Sequence, residues 1–330
     1  MKTLFIGGTK RGYQTLKALI EICKAEMVGV INLRQDDHEI ERYEEKMREL
    51  ATAGGIPFYE TKWMKDRDYA SIISNELKPD IIFIVGCRIM ISEKIYTIPP
   101  LGTLAVHDSL LPEYRGFAPL NWAIINGESH TGVTLFYLSG LMDGGDIVAQ
   151  KKTPIGVDDT AQEVYEILCQ ATVDVVVKAY PLLMRGEGAR IKQDYNSGNF
   201  TCSRTPDDGI IDWNKPTREI YNLIRSLAYP YPGAFTFFEG RRLTIWKAKP
   251  ALDQPLYAGR IPGRVVDVST TDGSVKVLTS DGVLSIFEVQ PKGKERMEAA
   301  KVVKSIRSTL GVGVVELMDR IRDIEAKYAE

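Results

Sequence analysis

The run Ile81-Ile82-Phe83-Ile84-Val85 is apolar at every position, and it constrains the fold more than any other stretch of the chain. A strand with one wet face alternates polar and apolar residues. One without alternation belongs in a parallel sheet covered by helices on both sides. The opening of the chain agrees. Leu4-Phe5-Ile6 ends in the turn Gly7-Gly8-Thr9, and apolar residues at Leu16, Leu19, Ile20 and Cys23 follow at helical spacing between Tyr13 and Lys24. Met27-Val28-Gly29-Val30-Ile31 is a second strand. Strand, helix, strand is the crossover unit of an open α/β sheet. Gly7, Gly8 and Gly12 do not spell GxGxxG, and no GK[ST] follows. The turn therefore reads as a tight turn beside the ligand-bearing edge rather than a nucleotide loop.

The pattern continues along the first half. Gln35 to Leu50 reads as a charged helical segment, with seven acids against three bases. Tyr69 to Leu77 reads as a helix that stops at Pro79, as the geometry before proline favours. Leu104-Ala105-Val106 is a short strand that delivers His107 to the same edge as Gly86-Cys87-Arg88. Gly132 to Leu138 and Ile147 to Lys151 are further strands. Asp158-Asp159-Thr160 caps a long helix to about Tyr180. Open sheets of this kind bind ligands beyond the carboxyl ends of their strands, which makes these strand ends the place to look for chemistry.

Beyond Gly186-Glu187-Gly188 and Asn196-Ser197-Gly198-Asn199 the composition shifts. After a helix over Thr217 to Leu227 and the turn Pro230-Tyr231-Pro232-Gly233, short strands dominate: Thr236–Phe238, Leu243–Trp246, Val265–Val268, Val275–Leu278 and Leu284–Ile286. Glu239-Gly240, Asp272-Gly273 and Asp281-Gly282 supply hairpin turns. Such strands suggest a small OB-like barrel, closed by helices over Glu298–Ser308 and Val314–Tyr328. The expected organisation is a Rossmann-like domain over residues 1–190, a linker over 191–204, and a β-rich domain over 205–330. Packing alone explains every strand pattern in the second domain, so it can serve as support or as a homodimer contact.

With 330 residues the chain can bury two cores. Its net charge of −2 gives no global pull toward nucleic acid or anionic membrane. Four separated cysteines make no CxxC pair and no metal-ligand spacing, so reduced thiols and no metal are expected. The apolar run at the start is too short for a signal peptide, and no run of roughly 18 apolar residues occurs, so a cytoplasmic protein without membrane insertion is expected.

Two residues carry the clearest chemistry. His107 is one of three histidines, and an imidazole suits proton transfer near neutral pH. Asp143, in the loop Met142-Asp143-Gly144-Gly145-Asp146, supplies a carboxylate that can fix its tautomer. Read without further context, the histidine can equally be a packed strand-end residue, with the aspartate closing a glycine turn. Ser109 offers a serine-nucleophile alternative, but GxSxG is absent and Leu-Leu-Pro follows rather than a helix.

The stretch His107-Asp108-Ser109-Leu110-Leu111-Pro112-Glu113-Tyr114-Arg115-Gly116, followed by Ala118-Pro119-Leu120-Asn121-Trp122, Thr131-Gly132-Val133-Thr134 and Asp143-Gly144-Gly145-Asp146, resembles the N10-formyltetrahydrofolate-dependent formyltransferases. That family includes methionyl-tRNA formyltransferase, glycinamide ribonucleotide transformylase and the nucleotide-sugar N-formyltransferases. The resemblance is dense over residues 80–165. It implies that folate lies against Arg88, Ile89, Met90, Ile91 and Leu111 and against Ser139, Gly140, Leu141, Met142 and Asp143. His107 would act as general base or acid, paired with Asp143. Gly8, Thr9, Lys10 and Arg11, with Ser109, Tyr114, Arg115 and Phe117, would read the amine substrate.

Asp208-Gly209-Ile210-Ile211-Asp212-Trp213 and Tyr231-Pro232-Gly233-Ala234-Phe235 resemble the nucleotide-sugar branch, in particular the domain that formylates UDP-4-amino-4-deoxy-arabinose in lipid A modification. The implied partner is a small amino sugar nucleotide. A transfer-RNA substrate would favour a basic surface, and the acidic Gln35–Leu50 segment argues against one there. Methionyl-tRNA remains the alternative.

One position departs from the family. The resemblance places an asparagine two residues before the histidine, where this chain has Ala105. A methyl group cannot donate to a developing oxyanion, and losing one such donor costs about 3–4 kcal/mol. Three readings are open: Arg88, Asn121 or a water supplies the donor; the alanine is an introduced substitution; or the chain binds folate without efficient transfer.

Overall fold

The computed structural model describes residues 1–35, 41–65, 67–252, 255–313, 317–318 and 321–322. They form two compact units. The first comprises Met1–Ala123, Glu128–Val157 and Glu163–Ser203; the second comprises Ile124–Gly127, Asp158–Gln162 and the chain from Arg204.

The first unit opens with β1 (Lys2–Gly7), α1 (Thr9–Glu21), β2 (Glu26–Leu33), α2 (Glu44–Ala53) and β3 (Phe58–Thr61). A short α3 (Tyr69–Ser71) widens into a π-helical turn over Ile72–Leu77, before β4 (Ile81–Val85), α4 (Glu93–Tyr96) and β5 (Thr103–His107). Then come β6 (Arg115–Gly116), α5 (Pro119–Ile125), β7 (His130–Tyr137), β8 (Ile147–Pro154), α6 (Ala161–Met184) and β9 (Phe200–Thr201). Seven strands make one sheet in the order β3-β2-β1-β4-β5-β7-β8. The first five are parallel; β7 is antiparallel to β5, and β8, antiparallel to β7, runs with the first five.

The expected two-sided burial holds. Every residue of β4 is buried. On one face Ile82 and Ile84 join Leu4, Ile6, Tyr69, Ile73 and Leu77 in a single cluster. On the other, Phe83 meets the Tyr180 ring of α6 at 6.0 Å. Each large apolar side chain buried this way stabilises the fold by about 1.5–3 kcal/mol.

Several boundaries differ from the sequence expectation. Helix α1 starts at Thr9 rather than Tyr13, because Gly8 is extended and Gly12 N already donates to Gly8 O at 3.2 Å. Strand β3 is too short and too mixed in polarity to show in periodicity. Part of the Gln35–Leu50 helix expectation, residues 36–40, lies outside the described residues; the helix itself is shifted to Glu44–Ala53. Gly7 has a packing reason rather than a phosphate-binding one. A Cβ there would collide with the carbonyl oxygen of Val85, so β1 and β4 can close up at their carboxyl ends only around glycine.

In the second unit α7 (Thr217–Ser226) is followed by β10 (Ala234–Phe238), β11 (Arg241–Pro250), β12 (Val265–Val268), β13 (Val275–Leu278), β14 (Val283–Pro291), β15 (Met297–Glu298) and α8 (Ala299–Val302). The strands are antiparallel in the order β10-β11-β14-β13-β12, with β15 beside β14. Ile220 and Ile224 of α7 bury against Leu243, Ile245, Val277 and Leu284. The helix expected over Glu298–Ser308 is only the single turn α8. Val303 returns to extended geometry and is buried with Leu310 in the sheet core, which a continuing helix could not achieve. The second closing helix, Val314–Tyr328, falls largely outside the described residues.

Candidate active site

β5 ends on His107, and alternation along the strand puts His107 and Ala105 on one face. Ala105 is buried there with Leu111, Phe136 and Ile147. Asp108, the next residue, points the other way, where it forms an ion pair with Arg11 of α1.

The imidazole of His107 is fixed on one side and faces a carboxylate on the other. Its Nε2 lies 2.8 Å from the carbonyl oxygen of Tyr114. Its Nδ1 lies 3.6 Å from Asp143 Oδ2. A carbonyl can only accept, so the neutral ring carries its proton on Nε2 and leaves the Nδ1 lone pair facing the carboxylate. At 3.6 Å this second contact is longer than a hydrogen bond, so Nδ1 is the nitrogen open to a proton from a third group.

Asp143 reaches His107 by a route that the strand pattern did not reveal. Because β7 is antiparallel to β5, its end lies beside Thr103, with Leu138 N donating to Thr103 O at 2.8 Å. The loop must fold back across the sheet face to bring the carboxylate to the far end of β5. Gly145 makes the return possible, since a Cβ there would collide with the carbonyl oxygen of Tyr137. Asp143 itself is left-handed, with φ of +47°. Such strain persists only where surrounding contacts hold it, and it concentrates at functional sites. Two contacts are direct. Gly116 N donates to Asp143 Oδ2 at 2.8 Å, and Gln193 Nε2 donates to Asp143 O at 2.8 Å.

The other residues proposed from sequence divide into two groups. Met90, Phe117, Leu141 and Met142 are exposed large apolar side chains on three loops. A groove of about 480 Å³ runs past Ile89 and Met90 between Trp63, Lys65 and Arg88. Ile89, which lines the groove, and Ile91 both pack against the core of the sheet. Ser139 Oγ turns to Leu141 within the loop. Exposed apolar side chains and a groove of this size are what a ligand site presents.

The second group is spent on the fold. Arg115 is fully buried, donating to Ser197 O at 2.9 Å and to Gln193 Oε1 at 2.9 Å. Ser109 is buried and donates to Glu113 O at 2.5 Å. Leu111 is buried, its N–H bonded to Thr134 Oγ1 at 3.0 Å. Tyr114 donates its hydroxyl to Glu128 at 2.7 Å, and its carbonyl serves His107. Lys10 pairs with Glu166 at 2.7 Å, and Thr9 lies 3.4 Å from the Tyr165 hydroxyl. Burial opposes the charge on Arg11, but Asp108 outweighs it and raises the guanidinium above its ordinary value.

Of the groups named as replacement donors, Arg88 is exposed beside Arg34, Lys62 and Trp63, and Asn121 is buried in α5. Burial pushes the Cys87 thiol up to about 11, so it is not a thiolate at neutral pH. Among the described residues no group of His, Cys, Asp and Glu is arranged to hold a metal ion. Sequence reasoning missed Gln193, the Tyr114 carbonyl and Gly116. A lone glutamine in a polar stretch carries no periodic signal, and backbone groups carry none at all. The segment expected as a linker from residue 191 is built into the first unit as far as Ser203, with β9 pairing β6.

Comparison with known proteins identifies the scaffold. Residues 1–180 match the formyl transferase family, and residues 204–307 match formyl transferase, C-terminal domain. Methionyl-tRNA formyltransferase from Alkaliphilus oremlandii is 35% identical over 301 residues, covering 90% of this chain and 94% of the relative. HypX from Aquifex aeolicus in complex with tetrahydrofolic acid matches with a TM-score of 0.60 at 20% identity. That match covers 93% of this chain and 47% of HypX, so the chain spans about half the length of that protein. The N-formyltransferase from Helicobacter canadensis, in complex with folinic acid and dTDP-3-aminofucose, gives a TM-score of 0.64 at 18% identity, over 88% and 99% of the two chains. Likenesses at such low identity carry the fold alone. The family match over more than half of the chain, with a relative at 35% identity, carries the assignment: the chain belongs to the formyl transferase family and is a formyl-transferring enzyme.

Proposed function

We propose that the protein transfers a formyl group from N10-formyltetrahydrofolate to the amine of an amino sugar nucleotide. The observation that carries the chemistry is the His107–Asp143 pair at 3.6 Å, with one imidazole nitrogen tied to a carbonyl and the other open. The donor fits the residues present. Met90, Leu141 and Met142 offer apolar surface to a flat ring system, and the groove of about 480 Å³ lined by Met90 is within the range of small-molecule sites. Bound there, the folate supplies the activated formyl group.

His107 Nδ1 takes the proton that the substrate amine loses as it becomes an amide. Asp143 stabilises the imidazolium that results and stops the ring from turning. His107 then returns the proton to the departing nitrogen. Asp108, Arg11, Ser109 and Arg115 shape the loops around this pair. Phe117 is left exposed to meet the substrate. Ala105 offers no donor on the His107 face, so the oxyanion is stabilised less well than an asparagine there would allow.

For the acceptor, the segments Asp208–Trp213 and Tyr231–Phe235 support a sugar nucleotide, and a solved relative of the same fold is described with a dTDP-amino sugar. The second reading is methionyl-tRNA, favoured by the relative at 35% identity. The deciding experiment incubates the protein with N10-formyltetrahydrofolate and either UDP-, dTDP- and GDP-linked amino sugars or methionyl-tRNA, following tetrahydrofolate release and product mass. A formylated sugar with unmodified methionyl-tRNA is the expected result. Formylated methionyl-tRNA alone overturns the sugar assignment.

A further inference from the structure

Asp143 is poorly supported by its own loop. It lies in a return that starts from the wrong edge of the sheet, and it holds a left-handed backbone that a non-glycine residue adopts at a cost. What holds it comes from a segment about fifty residues later. Gln193 places its two amide hydrogens on two carbonyls of this return, Asp143 O at 2.8 Å and Gly145 O at 2.7 Å. Its own oxygen accepts from Arg115 Nη2 at 2.9 Å. Only a primary amide has two donors and an acceptor in this arrangement, so all three contacts use the chemistry specific to the residue.

Arg115 is itself immobilised. It is fully buried, bonded to Ser197 O at 2.9 Å and Asp194 O at 3.2 Å, and lies over the rings of Tyr195 at 4.6 Å and Phe200 at 5.5 Å. The next residue, Gly116, donates its N–H to the Asp143 carboxylate at 2.8 Å. One short strand, β6, therefore fixes the carboxylate directly and its backbone through Gln193. We propose that Gln193 is a positioning residue for Asp143, holding its carboxylate against His107 through an Arg115–Gln193 clamp. The role in turnover rests on the formyl-transfer reading given above; the clamp itself does not.

The test uses Gln193→Glu and Gln193→Ala. The glutamate keeps the size and the Arg115 partner but turns a charged acceptor oxygen toward two carbonyls, whereas the alanine removes the donors without adding charge. Each variant should lower kcat by about 10²-fold, as displacement of a reacting group by an ångström does, while KM for folate stays within threefold. In an Asp143→Asn background the same changes should cost less than threefold further, because the residue acts through Asp143. A full 10²-fold loss in that background, or a loss confined to KM, overturns the positioning role. Amide hydrogen exchange over residues 141–146, measured without substrate, reads the clamp independently. Exchange should rise at least tenfold in Gln193→Ala. If it is unchanged, the clamp is overturned. If it rises while the unaltered protein transfers formyl to no amine, the formyl-transfer reading has failed and the clamp stands.

Discussion

His107 Nε2 lies 2.8 Å from the carbonyl oxygen of Tyr114, a residue whose own backbone is left-handed at φ +58°. The loop after β5 thus turns back sharply enough for its seventh residue to fix the tautomer of the histidine that ends the strand. The nitrogen left open is the one facing Asp143. His107→Ala should lower kcat/KM by about 10²–10⁴-fold, the usual contribution of a positioned acid or base. Folate affinity, measured by fluorescence titration, should stay within about threefold. Turnover that survives the change would remove the histidine from the mechanism.

Ala105→Asn tests the missing donor. Ala105 shares the His107 face of β5, so an asparagine amide there would stand beside the reacting centre. One added oxyanion donor corresponds to about 10²–10³-fold in kcat. Steady-state kinetics of the two proteins side by side should show that gain. An unchanged rate means that another group already fills the role.

Gly145→Ala should break the return that carries Asp143, because the new methyl group collides with the carbonyl oxygen of Tyr137. The loop lies outside the sheet core. The expected result is therefore a loss of kcat of about 10²-fold with a fall in Tm of only a few degrees. Gly7→Ala is the contrast. It forces β1 and β4 apart inside the core and should cost roughly 2–4 kcal/mol, read as a much larger fall in Tm.

Asp281 links pH to the stability of the second unit. It accepts from Thr217 N at 2.8 Å and Thr217 Oγ1 at 2.8 Å, capping the start of α7. The backbone N–H of Thr217 holds its carboxyl below the ordinary value of 3.8. A lowered folded-state value means that the unfolded chain binds the proton more readily. The stabilisation is therefore complete above about pH 5 and is lost as pH falls through the range below 3.8. Asp281→Asn should lower the Tm at pH 7 by the equivalent of about 1 kcal/mol, the value of a helix cap, and the difference should shrink toward pH 3. A difference that does not change with pH would show that the carboxylate charge is not the stabilising feature.

Much of the fold was legible because burial leaves a local record. The unbroken apolar run of β4, the helical spacing from Leu16 to Cys23 and the glycine-rich hairpins of the second unit each report how many faces of an element are covered. Reading failed where an element owes its shape to distant partners. β3, β6 and β9 are too short to show a period, and α8 stops after one turn because the sheet core claims Val303 and Leu310.

By itself, the sequence determined that strand, helix and strand would build an open sheet, and that a histidine would stand at the end of one of its strands. It also carried a resemblance that implies an asparagine at the position where Ala105 stands. Tertiary structure alone decided how Asp143 meets His107. Antiparallel β7 sends Asp143 off from the far edge of the sheet, and it returns to His107 only because Gly145 lets the backbone pass and Gln193 with Gly116 hold it there. Each of those contacts has a backbone carbonyl or N–H as one partner, a group that nearly every residue possesses. Only the folded chain selects which of them meet.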